Sequence, residues 1–387
     1  MERKIPLIEQ TPISAGLLVY DDNHNILLVK HKNIFSNCSL SIPKGHIKKG
    51  ETFLDCAIRE TYEETGIRFD KTQINPVPFF YPLIKDCTTS YVAYYVVRLR
   101  SCSKLLPNPI DLYEIESADI YSFNYAIQNI EISQTPLLLH IKPQYLDYRI
   151  LDWHITNGYV RFSSHSTCNL KILTYTTKCK RCGFWNEFTL WCRGIIIENN
   201  TILYRPLKKF FIMKDIPELV LNSFLPPYTV SEKIDGTLGI LYWIDSVPFI
   251  ATKGSFHSRQ AMIGTRILFT KYCDILKRLN KSYSYFFEII SPLDPHIVEY
   301  GGLEDIILLG AYDNKLFRDI RLCELSYLPF KTPDTVETSD YSIYTNQDNH
   351  NKEGYVVSDN YNQRIKIKFP TYIKKHEAKN KIHNNEI

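Results

Sequence analysis

The chain has 387 residues, too many for one ordinary core and suited to two domains. Hydrophobic residues make up 44% and charged residues 23%, the balance of a folded soluble protein, and a formal net charge of +4 excludes a uniform polycation. The N-terminal MERKIPLIEQ lacks the apolar core of a signal peptide and no stretch has the length of a membrane span, so an intracellular, cytoplasmic protein is expected, its ten cysteines read as reduced thiols.

The first elements form a predicted hairpin: a strand over residues 13–20, an Asp- and Asn-rich turn over 21–24, and a strand over 25–30. The loop SIPKGHIKKGE follows, then a helix from about Thr52 to Thr65. Thr52 with Asp55 has the form of an N-terminal capping pair, and Leu54, Ala57, Ile58 and Thr61 share one face at helical spacing. Gly66 stands where a helix ends in the left-handed conformation. TTSYVAYYVVRLR is a Tyr- and Val-rich strand, and an amphipathic stretch near 125–140 closes the first domain. The boundary is placed between residues 144 and 156, giving domains over 1–145 and 150–387. Beyond it come many strand-like runs (RGIIIE, TLGILYWI, YFFEII, DIILLGAY, EGYVV, RIKIKF), an α+β composition with much antiparallel sheet.

Glu60, Glu63 and Glu64 are spaced i, i+3 and i+4, so a helix projects them from one face. Like charges so close repel unless a cation sits among them, and hard oxygen ligands suit Mg²⁺ or Mn²⁺. Arg59 can fix a carboxylate by a bidentate pair, and Gly45 lets the backbone approach a metal. A solvated acidic face is the bland alternative. The full spacing is Gly45, Glu51, Arg59, Glu60, Glu63, Glu64, Gly66, Ile67, and it resembles the signature of the Nudix hydrolases at each fixed position. Thr61 departs from the family by replacing a bulky aliphatic packing residue. The resemblance implies an αβα sandwich that cleaves a nucleoside diphosphate linkage. Glu60, Glu63 and Glu64 then hold the metal with the Gly45 carbonyl, one glutamate activates water, and Glu51 and Arg59 orient the cluster. Glu114 falls where relatives place a further metal or base carboxylate. PKGH (residues 43–46) resembles the diadenosine-polyphosphate hydrolase branch, with Tyr81 near its base-stacking tyrosine; RNA 5′ ends and other nucleoside polyphosphates stay open as substrates.

In the second half, Lys233 lies in SEKIDGTLG. A lysine attacks a phosphoryl group only as the neutral amine, which desolvation and neighbouring cations favour. Lys209, Lys253, Lys366 and Lys368 are candidates for such cations and for neutralising a triphosphate. Asp235, Gly236 and Gly239 give a polar loop that permits close approach. With CRGI (192–195), RPLKKFF (205–211), TKGSF (252–256), FFEIISPLDPHIVEYG (286–301), EGYVV (353–357) and KIK (366–368), this segment resembles the covalent nucleotidyltransferases, most of all the phage-type ATP-dependent RNA ligases. That resemblance implies a lysyl-adenylate on Lys233. Arg193, Lys209, Glu232, Asp235, Gly236, Lys253, Glu288, Lys366 and Lys368 then bind ATP, and Glu353 binds Mg²⁺. From the residues after KIK, neither the helical domain of phage relatives nor the OB-fold of capping enzymes is expected.

The joint expectation is a bifunctional RNA end-processing enzyme that uses ATP, RNA, a nucleotide pyrophosphate substrate and Mg²⁺ or Mn²⁺. The alternatives are a GTP-dependent capping-type guanylyltransferase, or a ligase whose Nudix module binds nucleotide without cleaving it. Seven Lys/Arg against two Glu from Arg364 onward suit a polyanion or a solvated tail. Cys179 and Cys182 have metal-ligand spacing, which Cys168, Cys192 or His165 could complete into a zinc site; no second CxxC exists, and the other reading is a structural or incidental pair.

Overall fold

The structure, a computed structural model, describes residues 14–32, 40–85, 88–216 and 221–385. Ile13 of the expected first strand, the N-terminal decapeptide and Glu386 lie outside the described residues. The chain forms two compact units, one of Met1–Tyr159 with Thr177–Phe188, the other of Val160–Thr176 with Thr189–Ile387.

The first unit is built on a seven-stranded mixed sheet: β1 (Ser14–Asp21), β2 (Asn25–His31), β3 (Leu40–Ser41), β4 (Lys44–His46), β5 (Phe79–Lys85), β6 (Thr88–Leu99) and β7 (Ile115–Ser122). The order is β3-β2-β1-β6-β5, with β4 on β1 and β7 on β2. Among the named strands β1 and β6 pair in parallel, and the other pairs are antiparallel. Ala15, Leu17, Leu18 and Val19 of β1 and Ile26, Leu27, Leu28 and Val29 of β2 are all fully buried. Consecutive buried side chains point to opposite faces, so the sheet is covered on both. Helix α1 (Phe53–Thr65) starts on Thr52, whose hydroxyl accepts the Asp55 N–H, and ends at Gly66 with φ 72°. Of the expected face Ala57 and Thr61 are buried, together with Phe53, Cys56, Glu64 and Thr65, while Leu54 and Ile58 are only half-buried. The face is rotated because Glu64 itself turns inward. The expected amphipathic stretch near 125–140 resolves into α2 (Phe123–Asn129) and a 3-10 segment (Ile132–His140) that contains Pro136. Helix α3 (Tyr148–Thr156) follows, and α4 (Thr177–Cys182) returns to this unit. There Tyr159 stacks on Phe184 at 4.1 Å, and His154 meets Phe188 edge-on at 5.0 Å.

The second unit begins with β8 (Val160–Ser164) and β9 (Leu170–Tyr175); α5 (Glu187–Trp191) leads into β10 (Arg193–Glu198) and β11 (Thr201–Tyr204). These strands make an antiparallel sheet in the order β11-β10-β9-β8. The chain continues through β12 (Phe211–Ile212), β13 (Tyr228–Glu232), β14 (Thr237–Ile244), β15 (Val247–Thr252), α6 (Arg259–Lys271), β16 (Tyr283–Ile290), β17 (Asp305–Asp313), β18 (Arg318–Ile320), β19 (Thr335–Thr338), β20 (Gly354–Ser358), β21 (Arg364–Lys368) and α7 (Pro370–Asn385). Two five-stranded sheets result, β12-β21-β20-β13-β19 and β15-β14-β16-β17-β18. Ile263, Ile267 and Leu268 of α6 pack on Leu241, Ile250, Phe287, Ile289, Ile306 and Leu308 of the latter sheet. Among the described residues, no helix is long and apolar enough to cross a membrane.

Candidate active sites

In the first unit, β4 pairs with the start of β1, with Gly45 opposite Ala15, and lays its backbone along α1. A Cβ on Gly45 would stand 2.0 Å from Glu60 Oε2, so only glycine lets that carboxylate lie against the strand. Arg59 gathers the acids. It donates to both oxygens of Glu51 at 2.7 and 2.8 Å, to Glu60 Oε1 at 2.5 Å, to Glu63 Oε2 at 2.8 Å and to the His46 carbonyl at 3.0 Å. The Arg59 hydrogen bonds hold the Glu51 carboxyl down at about 2 and raise the guanidinium further. Glu64 points inward, 5% exposed, and accepts the Lys44 N–H at 3.1 Å. Burial pushes its carboxyl up to about 8; the Glu60 and Glu114 charges act in the same direction against Lys44.

Among the described residues no set of three or more His, Cys, Asp or Glu converges as a metal cage. Around α1 the reason is Arg59, whose guanidinium supplies the positive charge between Glu60 and Glu63. The donor set itself, three carboxylates beside the Gly45 backbone, fits a hard divalent cation. Glu114 is exposed, and its charge adds to the rise of the Glu64 carboxyl. Tyr81 differs from expectation. It is 3% exposed, and its hydroxyl donates to the Ser133 carbonyl, so its ring presents no stacking surface. Its place in β5, opposite Val92 of β6, turns it toward the core. The zinc expectation also finds no support: Cys179 is buried with Sγ 3.0 Å from the Phe184 carbonyl, while Cys182 is exposed.

In the second unit, Lys233 occupies the loop that leaves β13 of one five-stranded sheet and enters β14 of the other. Its N–H donates to the Gly354 carbonyl at 2.9 Å, and its Nζ to Glu353 Oε2 at 2.6 Å. Glu353 Oε1 takes Lys368 Nζ at 2.6 Å, so one carboxylate, 3% exposed, bridges two ammonium groups. Register explains the meeting: Gly354 lies opposite Lys368, and Glu232 opposite Tyr355. The parallel pairing of Ile212 with Lys366 brings the RPLKKFF segment beside KIK. Glu288 on β16 accepts the Gly236 N–H at 3.1 Å, and burial raises its carboxyl against the pull of Lys233 and Arg193. Burial drives Lys366 well below the usual lysine range, and Arg193, Lys209, Lys233 and Lys368 repel it further. Arg193 is lowered by burial too, and its Nη1 is buried with no hydrogen-bond partner.

The cations of this site lie on aromatic rings. Lys366 is 4.6 Å and Arg193 5.8 Å from the Phe210 centroid, Lys209 is 4.4 Å from Phe211, Lys253 is 3.5 Å from Tyr175, and Lys368 is 4.8 Å from Tyr372. A ring holds a cation in place without cancelling its charge, which leaves it able to meet an anion. Glu232 ion-pairs with Lys352 at 2.7 Å. Asp235, 6% exposed, faces inward: Oδ1 accepts the Tyr372 hydroxyl, and Oδ2 the Ile297 and Val298 N–H groups. Tyr175, Tyr300 and Tyr372 were not singled out from sequence, because isolated tyrosines among so many carry no spacing signal.

Residues 10–134 match the family model of the NUDIX domain, and residues 191–372 that of the RNA ligase. The chain therefore carries a NUDIX domain followed by an RNA ligase domain, both families of enzymes. Solved structures similar to part of the chain include an Ap4A hydrolase from C. elegans, 20% identical over 38% of this chain and 99% of that one, TM-score 0.27. A bifunctional NMN adenylyltransferase/ADP ribose pyrophosphatase from Francisella tularensis is 18% identical over 38% of this chain and 41% of its own, TM-score 0.27. The NUDIX domain of Shewanella oneidensis NrtR, complexed with ADP ribose, is 13% identical over 34% and 86%, TM-score 0.29.

Proposed function

We propose that the protein is a bifunctional RNA end-processing enzyme, with a NUDIX domain over 1–145 and a ligase domain over 150–387. The observation that carries the reading is the Lys233–Glu353–Lys368 bridge, set among Arg193, Lys209 and Lys366. Lys233 attacks the α-phosphorus of ATP: an N–P bond forms, the bond to the bridging oxygen breaks, and pyrophosphate leaves. The proton shed by Nζ has an acceptor at hydrogen-bond distance, Glu353 Oε2. Arg193, Lys209, Lys253, Lys366 and Lys368 meet the phosphates and the charge that develops on them. Glu232 and Glu288 lie along the nucleotide, and Asp235 with Gly236 shapes the loop. The AMP then passes to an RNA 5′-phosphate, and a 3′-hydroxyl displaces it to seal the strand.

In the NUDIX domain, Glu60, Glu63, Glu64 and Gly45 would hold Mg²⁺ or Mn²⁺, which polarises the phosphoanhydride when bound. Arg59 and Glu51 set the carboxylates' orientation. The substrate class is a nucleoside polyphosphate, a dinucleotide polyphosphate or an RNA 5′ end. Incubation with α-labelled ATP and Mg²⁺ should label wild type and not Lys233→Ala. Label from GTP alone would favour a capping-type guanylyltransferase instead.

A further inference from the structure

Displacement at phosphorus runs in line, with the incoming group opposite the one that leaves. Lys233 therefore expels pyrophosphate on its far side, and the RNA 5′-phosphate that later expels Lys233 enters from that same side. Two polyanions use one entrance in turn. Lys253, one of the cations proposed for the triphosphate, sits 3.5 Å from the ring centroid of Tyr175, the last residue of β9. Gly254, the next residue, faces β8: a Cβ there would stand 3.4 Å from Thr174 Cγ2 and 3.7 Å from Arg161 Nη2. Arg161 lies opposite Thr174 in the β8–β9 ladder. We propose that Arg161 is an RNA contact of the ligase domain, taking a phosphate of the 5′-phosphate strand as that strand enters past Lys253.

β8 suits that part by exposure and by charge. It is the outer strand of its sheet, and Arg161 and the three residues after it are exposed. Among the described residues Arg161 has no ion pair and no hydrogen bond. Its guanidinium is an uncommitted fork of donors, the shape that meets a phosphate. Neither residues 160–176 nor residues 246–273 include an Asp or Glu, so neither segment neutralises it. Ser163, Ser164, Ser166 and Thr167 follow along β8 and the turn after it with exposed hydroxyls, donors that serve a phosphate backbone of any sequence. The two segments meet again at the His165 and His257 rings, 4.7 Å apart, where Ser166 Oγ lies 3.2 Å from His257 Nε2. The edge of β8 is thereby held beside the loop that carries Lys253.

This inference rests on the RNA ligase reading, and its test separates the two. Arg161→Gln in the full chain removes the charge from an exposed position. Adenylated protein, freed of ATP, is mixed with a 5′-monophosphate oligoribonucleotide, and AMP transfer is followed in a single turnover. Transfer at subsaturating RNA should fall about tenfold, at least about fivefold more than lysyl-adenylate formation falls in the same variant. The slope of log affinity for RNA against log salt should become shallower by about 0.7, the share of one phosphate contact on a single strand. Arg161→Lys, which keeps the charge, should recover most of both. An equal fall in the two steps would assign Arg161 to ATP, and an unchanged salt slope would leave it a solvated side chain; either overturns the inference. If wild type forms no adenylate, the functional reading falls and RNA binding by fluorescence anisotropy decides. A shallower slope in Arg161→Gln then supports the contact, and an unchanged one overturns it.

Discussion

Lys233 and Glu353 stand 120 positions apart in sequence and 2.6 Å apart in space, joined by a carboxylate that also holds Lys368. Removing that carboxylate's charge leaves two ammonium groups facing each other. Glu353→Gln should therefore abolish lysyl-adenylate formation, by at least about a hundredfold. It should also cost on the order of 3 kcal/mol of stability, the scale of a broken buried pair. Adding Lys368→Met should restore part of the stability and none of the activity. Denaturant melts and labelling with ATP check both; wild-type labelling in Glu353→Gln would reduce the residue to a structural role.

The two glycines flanking α1 separate chemistry from stability. A Cβ at Gly45 would meet the Glu60 carboxylate, the tip of a side chain, so Gly45→Ala should leave the melt near wild type. It should weaken metal-dependent hydrolysis by about tenfold to a hundredfold. At Gly66 a Cβ would stand 2.2 Å from the Asn108 carbonyl oxygen, on a backbone with φ 72°. Gly66→Ala should thus cost about 1–3 kcal/mol, visible in urea denaturation. Equal stability losses in the two variants would contradict this division.

The parts legible in the sequence were those fixed by local spacing. Thr52, Gly66 and the i, i+3, i+4 glutamates declared α1, because a helix converts spacing directly into a shared face. The loop that carries Lys233 was legible in the same way, and so were the strands that carry Glu288 and KIK and the one that starts just after Glu353. What spacing could not show was direction. Tyr81 turns into the core, Asp235 faces Tyr372 and the backbone of Ile297 and Val298, and Glu64 rather than Ile58 is buried on α1. Each outcome depends on partners far along the chain: Ser133 for Tyr81, Tyr372 for Asp235. The return of Thr177–Phe188 to the first unit is of the same kind, settled by Tyr159 stacking on Phe184.

Burial of Glu64 predicts an unusual dependence on pH in the metal-free chain. Its folded value is raised from 4.5 to about 8, so the folded state binds the proton more tightly than the unfolded one. The stability this gives is complete below pH 4.5 and is lost as pH rises through about 8. Glu64→Gln cannot ionise and lacks that slope. In chelator, the melting temperature of wild type relative to Glu64→Gln should fall steadily across this interval. Mg²⁺ added at neutral pH should then release a proton, seen as a buffer-dependent heat in titration calorimetry. A parallel course of the two melting curves would place the Glu64 carboxyl in a more polar setting than its burial indicates.

The two chemistries should separate by single substitutions, since their candidate residues lie in different units and none is shared. Glu63→Gln removes one carboxylate from the cluster around Arg59, and Glu64→Gln removes the buried one. Both should stop metal-dependent pyrophosphate hydrolysis while the rate of lysyl-adenylate formation stays at the wild-type value. Lys233→Ala should do the reverse, since an alanine offers no nucleophile and the glutamates of α1 belong to the other unit. The decisive comparison runs both assays on each full-length variant, with circular dichroism as the check on folding. Hydrolysis is followed on diadenosine tetraphosphate, ADP-ribose and 5′-triphosphate RNA, and adenylation with labelled ATP. A folded Glu64→Gln chain that loses both activities would mean that the glutamates of α1 serve the same reaction as Lys233.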